Sequence, residues 1–185
     1  MQRRKIRAFC GVQGSGKSFS TARLIMTKGY KAFAFADALR DVAFKAIGIP
    51  YKEGMQKYEE LKQTELINGL NFRNILENIG SAVRRYDEDF WAKTVITLIK
   101  ECTDNVCISD LRYPNEYFVL REFAKRNSID FKLVFCDYHS DRYQDDNPHE
   151  SAALANYLKS LGYKDQQYVL EEDIKKFVTE KRKYE

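Results

Sequence analysis

A small α/β fold on a parallel sheet, interrupted by one helical excursion, is predicted by three features of the sequence. Residues 5–10 read as a strand, 11–16 as a glycine-rich turn, 17–28 as a helix and 32–36 as a short apolar-aromatic strand. Strand, turn, helix and strand within about 30 residues make a βαβ unit, whose strands run parallel. Further apolar strands follow at 106–109 and 131–136, each separated from the next element by helical periodicity. Between the second and third strands everything reads as helix.

The remaining elements follow from spacing. Residues 37–47 form a helix closed by Gly48 and Pro50. Residues 52–69 read as helical but polar nearly all round, so they contribute little to a core. Residues 71–85 carry Phe72, Ile75, Leu76, Ile79 and Val83 at helical spacing, and 88–102 carry Trp91, Val95, Leu98, Ile99 and Cys102 on one face. Residues 115–125 are a helix. Residues 138–148 are polar without apolar periodicity, hence a loop. A helix at 150–161 stops at Gly162, a short strand is expected at 167–170, and a charged helix runs from 171 onward.

A length of 185 residues suits one domain. It also buries enough surface to need no disulfide or metal staple. The net charge of +4 is spread along the chain. Without a basic stripe, stable nucleic-acid binding is not expected. No apolar run reaches the ~18 residues of a membrane helix, and the N-terminal residues lack the apolar core of a secretory signal. Cys10, Cys102, Cys107 and Cys136 form no C-x-x-C pair and read as reduced, small hydrophobes. A cytoplasmic setting is the expectation.

Gly11-Val12-Gln13-Gly14-Ser15-Gly16-Lys17-Ser18 fits G-x-x-x-x-G-K-[ST] without a mismatch. Glycines at Gly11, Gly14 and Gly16 let the backbone curl until several N–H groups converge on one anion. The helix that follows adds its positive end. Gln13 and Ser15 complete the loop, Lys17 would reach the β- and γ-phosphates, and Ser18 would ligate Mg²⁺. A lysine at this position is expected to stand exposed when the loop is empty.

Such a loop works with a carboxylate at the end of a neighbouring strand. Val106-Cys107-Ile108-Ser109-Asp110 offers one, a turn cap being the plain alternative for Asp110. Asp37 also ends a strand and precedes a helix, so it either caps that helix or faces an acceptor. Arg40, Arg73, Arg84, Arg112 and Arg142 are candidate cations for a transferring phosphoryl group, each with a solvated surface role as its alternative. Arg112 stands two residues past Asp110. Arg142 lies in the polar loop, where a lid over a nucleotide would sit. His139 and His149 lack metal-ligand spacing. Trp91 either packs in a core or stacks on a base.

These residues resemble the bacteriophage deoxynucleoside monophosphate kinases, within the adenylate-kinase-like P-loop kinases. Besides the generic loop, Phe35-Ala36-Asp37-Ala38-Leu39-Arg40 is similar to the family's Phe-Ala-Asp-Pro-Leu-Lys, with Ala38 and Arg40 as departures. Arg73-Asn74-Ile75-Leu76-Glu77-Asn78-Ile79-Gly80 resembles its Arg-x-x-Leu-Gln-x-x-Gly, and Asp89-Phe90-Trp91 its Asp-x-Trp. Ser109-Asp110-Leu111-Arg112-Tyr113-Pro114-Asn115-Glu116 resembles its Ser-Asp-x-Arg-Phe-x-Asn-Glu, and His149-Glu150-Ser151 its His-x-Ser.

The resemblance implies a three-layer P-loop NTPase fold in one domain. Its helical excursion, about 38–104, would bind the monophosphate, and its lid would span about 138–149. It implies ATP, Mg²⁺ and a deoxynucleoside monophosphate that becomes the diphosphate, and it admits a homodimer and a host cytoplasm. Lys17, Arg112 and Arg142 would neutralise the transferring group. Ser18 and Asp110 would serve the metal, and Asp37, Arg40, Arg73, Trp91 and Asp110 would serve the acceptor. The alternatives are a P-loop kinase for another small phosphate-bearing acceptor, and a module that binds nucleotide or nucleic acid without turnover.

Overall fold

A computed structural model describes residues 3–138 and 152–182. Its strands are β1 (Lys5–Cys10), β2 (Lys31–Phe33), β3 (Glu65–Ile67), β4 (Leu70–Asn71), β5 (Val106–Ile108) and β6 (Asp130–Phe135). Its helices are α1 (Lys17–Lys28), α2 (Phe35–Ala46), α3 (Tyr51–Gln56), α4 (Tyr58–Leu61), α5 (Phe72–Arg84), α6 (Phe90–Lys100), α7 (Pro114–Arg126), α8 (Ala153–Ser160) and α9 (Glu171–Lys181). The fold is α/β, with a parallel sheet flanked by helices. The chain divides into two compact units, one formed by residues up to Ala34 and from Ile96 on, the other by Phe35–Val95.

The first unit holds the parallel sheet, in the order β2-β5-β1-β6. Ile6 pairs with Val106 on one side of β1 and with Phe131 on the other. All four strands point the same way, so their C-terminal ends share one edge of the sheet, where ligands bind in folds of this class. β5 is buried at all three residues, which is why it reads as an unbroken apolar run rather than an alternating one. Phe9, Tyr30, Cys107, Val134 and Cys136 form a buried cluster, with Leu24 of α1 packed against it. Three cysteines are thus buried core residues, and Cys102 is half-buried. Burial pushes the Cys10 thiol up to about 12 and those of Cys107 and Cys136 to about 11. They are inert hydrophobes rather than nucleophiles.

The second unit is built on Ala43, Phe44, Leu61 and Phe72, with Ile75, Leu76 and Ile79 of α5 packed on them. The Phe44 and Phe72 rings stack with centroids 4.2 Å apart. α5 starts at a reciprocal cap. The Asn74 N–H donates to Asn71 Oδ1 at 3.0 Å, and the Asn71 N–H donates to Asn74 Oδ1 at 3.1 Å.

Three elements differ from the sequence reading. The second strand ends at Phe33, and Phe35 already opens α2. Phe35, Leu39 and Ala43 recur every four residues, a helical repeat that outweighs the local Ala-Phe alternation. Asp37 therefore sits in the first turn of α2 rather than at a strand end. Residues 52–69 are not one helix but α3, α4 and the start of a hairpin. Asn68 and Gly69 both take positive φ, 49° and 78°, in the two-residue turn that joins β3 to β4. Asn-Gly is the favoured pair there. Residues 167–170 contribute a single antiparallel bridge, Tyr168 to Val134, rather than a strand.

The second unit's core has one point of closest approach. A Cβ on Gly54 would lie 2.4 Å from Cε1 of the buried Phe44 ring. That ring is held by Phe72 and cannot swing away. Gly54→Ala should lower stability by about 1–3 kcal/mol. Chemical denaturation checks this, and an unchanged midpoint would contradict the packing described.

Candidate active site

The glycine-rich loop leaves β1 under a steric limit. A Cβ on Gly11 would lie 2.3 Å from the Cys136 carbonyl oxygen and 2.4 Å from Ser15 Oγ, so no side chain fits. Ser15 is fully buried, its N–H donates to the Val12 carbonyl at 3.3 Å, and its carbonyl accepts the Tyr138 N–H at 3.1 Å. Gly16 is the N-cap of α1 with φ 86°, a left-handed conformation that glycine adopts without strain. Among the described residues no side-chain hydrogen bond caps α1 there, and first-turn N–H groups of a helix are donors suited to an anion. Gln13, Gly14 and Ser18 are exposed around this loop.

Lys17 departs from the exposed position expected of it. Its ammonium donates to the Gly11 carbonyl at 2.7 Å, to the Val12 carbonyl at 2.6 Å and to Ser15 Oγ at 3.3 Å. An ammonium has three protons, and the loop engages each of them. Burial, and after it the Arg112 guanidinium, pull Lys17 below the ordinary lysine range, with Asp110 pushing the other way. The structure therefore brings Lys17, Asp110 and Arg112 into one electrostatic neighbourhood. Two cations close together favour an incoming anion.

A short backbone strap carries Asp110 and Arg112. The Ser109 N–H donates to the Phe33 carbonyl at 3.2 Å and the Leu111 N–H to the Phe9 carbonyl at 3.1 Å, which ties the strap to β2 and β1. Leu111 is fully buried. The Arg112 and Tyr113 N–H groups both donate to Glu116 Oε2, at 2.8 and 3.0 Å. Glu116, in the first turn of α7, has no assigned role in the sequence reading. Its capping pattern is hidden because Tyr113 occupies the N-cap, where Ser, Thr or Asp is expected.

Asp37, Arg40, Arg73 and Trp91 belong to the second unit. Arg40 pairs with Asp37 Oδ1 at 2.7 Å, and its guanidinium lies 5.1 Å from the Tyr58 ring centroid. The Lys62 ammonium lies 4.8 Å from the same ring, a second cation that the sequence did not single out. Arg73 is exposed and pairs with Glu77 at 3.3 Å. Trp91 is 3% exposed, meets Phe90 edge-on and donates its Nε1–H to the Gly80 carbonyl at 3.4 Å. Those are core-packing contacts. Arg142, His139 and His149 lie outside the described residues, as does the lid read over 138–149 apart from Tyr138.

No metal cluster of three His, Cys, Asp or Glu occurs among the described residues. Ser18 and Asp110 supply hard oxygen donors. Mg²⁺ suits one or two such ligands, with phosphates and water completing its shell.

No family model matches the chain, and no curated protein matches it. Among solved structures it is similar to a putative kinase from Chloroflexus aurantiacus, at 13% identity and TM-score 0.43 over 74% of this chain. The chain spans 60% of that protein's length. It is also similar to the Mycobacterium tuberculosis APS kinase CysC. A cysteine-to-alanine mutant of that kinase matches at 21% identity and TM-score 0.37, over 87% of this chain and 98% of the other. Its complex with AMPPNP and APS matches at 20% identity and TM-score 0.40, over 92% and 84%. At these scores the chemistry rests on the loop's own geometry.

The Lys17 environment sets a pH dependence. An anion binds the ammonium form, so binding takes up protons once pH exceeds the native Lys17 pKa, which lies below the ordinary 10.5. The rise in melting temperature produced by tripolyphosphate should therefore be larger below that lowered pKa than above it. It should decline as pH rises through that lowered pKa. Lys17→Met should lose most of the rise at every pH. A ligand-induced rise that is independent of both pH and Lys17 would contradict the site.

Proposed function

We propose that this protein is an ATP-dependent kinase that phosphorylates deoxynucleoside 5′-monophosphates to diphosphates. The observation that carries the reading is the loop from Gly11 to Ser18, with Lys17, Asp110 and Arg112 gathered at the C-terminal edge of a parallel sheet. Loop N–H groups and the start of α1 bind the donor's phosphates. Lys17 exchanges its loop carbonyls for phosphate oxygens, and Arg112 adds a second positive charge where negative charge spreads in the transition state. An acceptor phosphate oxygen bonds to the γ-phosphorus, the bond to the β–γ bridging oxygen breaks, and ADP leaves. Mg²⁺, held by Ser18 and Asp110, would supply charge neutralisation at the donor phosphates.

The acceptor assignment rests on the sequence resemblance. Asp37, Arg40 and Arg73 carry it, Arg40 held by Asp37 and Arg73 by a weaker exposed pair. The homodimer and the host cytoplasm rest on the same resemblance.

A panel of deoxynucleoside monophosphates, each incubated with ATP and Mg²⁺ and resolved by ion exchange, tests the reading. At least one should give equimolar diphosphate and ADP. Arg73→Ala should raise KM for that monophosphate well above any change in KM for ATP, because acceptor binding is what it removes. ADP formed at the same rate without acceptor, or transfer only to other acceptors, would contradict the proposal.

A further inference from the structure

The geometry points to Glu116 as the positioning residue that sets the Asp110–Arg112 strap against the phosphate loop. This rests on the kinase reading above. Glu116 is a carboxylate only 3% exposed, and a buried carboxylate is costly unless its oxygens are hydrogen-bonded. Here a single oxygen, Oε2, accepts both the Arg112 and the Tyr113 N–H. A plain helix cap would need only the second of these, the bond to the N-cap residue. The bond to Arg112 reaches one residue further back, to the backbone of the cation that shares the electrostatic neighbourhood of Lys17.

The strap makes this contact decisive. Its first anchors, Ser109 to Phe33 and Leu111 to Phe9, fix the end near the sheet. Asp110 lies between those two bonds. Past Leu111, Glu116 supplies the acceptors for the next two N–H groups. With Glu116 removed, Leu111 stays fixed while the Arg112 backbone is released, and with it the root of the guanidinium. A displacement on the scale of 1 Å at a positioned group costs on the order of 10²-fold in rate. Glu116 also shares the electrostatic surroundings of Cys10, directly beneath the loop.

Three substitutions separate geometry, charge and simple capping. Glu116→Gln keeps the reach and an oxygen acceptor. Glu116→Asp keeps the charge but falls one methylene short. Glu116→Ala removes both. The alanine and aspartate variants should lose kcat by about 10- to 10²-fold, with the glutamine variant restoring most of it. Adding Glu116→Ala to Arg112→Ala should slow the enzyme no further than Arg112→Ala alone, because the two act through one group. A residue that only caps α7 would lower the melting temperature and leave kcat unchanged at temperatures well below it; that outcome overturns the inference.

Amide hydrogen exchange supplies a readout that needs no turnover. In Glu116→Ala the Arg112 and Tyr113 amides should lose protection while Leu111 keeps its own. If the wild-type protein transfers phosphate to no acceptor, the kinase reading fails and exchange alone decides the role of Glu116. Unchanged protection at Arg112 and Tyr113 would overturn it.

Discussion

The close approach of Gly11 to the Cys136 carbonyl is the constraint on which the phosphate loop depends. With 2.3 Å between that oxygen and the position a Cβ would take, β1 and the end of β6 can sit this close only because residue 11 has no side chain. From that contact the loop turns over the buried Ser15, Tyr138 is drawn in through its N–H, and α1 begins at Gly16. Any wider spacing would open the curl and separate the N–H groups that must converge on one anion. The parallel pairing of Cys10 with Phe135 brings the two strand ends to the same level, so sheet register and loop geometry are one problem.

Lys17 shows how such a loop can be stable and still receptive. Its ammonium is satisfied by the carbonyls of Gly11 and Val12, so the loop does not leave a buried cation unpaired. Yet burial and Arg112 hold it below the ordinary lysine range, so that arrangement is poorer than hydration or an anionic partner. Phosphate oxygens offer what the carbonyls lack, a full negative charge that serves Lys17 and Arg112 together.

Much of this was legible in the sequence, for physical reasons that can be named. The loop announced itself because close approach and a left-handed N-cap each demand glycine at a fixed spacing. β5 stood out because burial on both faces leaves no polar residue in Val106–Ile108. The hairpin at Asn68-Gly69 was obscured by the charged stretch before it, although the Asn-Gly pair between Ile67 and Leu70 was a sufficient signal. α2 begins two residues before the apolar pattern indicates, because Phe35 and Ala36 suit a strand as well as a helix until their i+4 partners are counted. Glu116 was not legible as a site residue. Its role depends on a bond to a backbone N–H four residues earlier, and side-chain type alone does not encode that.

The central claim is that this loop recognises phosphate rather than the rest of a nucleotide. Calorimetric titration of the protein with ATP, AMP and adenosine in turn tests it most directly. Affinity should rest on the phosphates, with ATP bound most tightly, AMP far more weakly and adenosine not measurably. Adenosine bound as tightly as ATP, or no binding of ATP at all, would contradict the account.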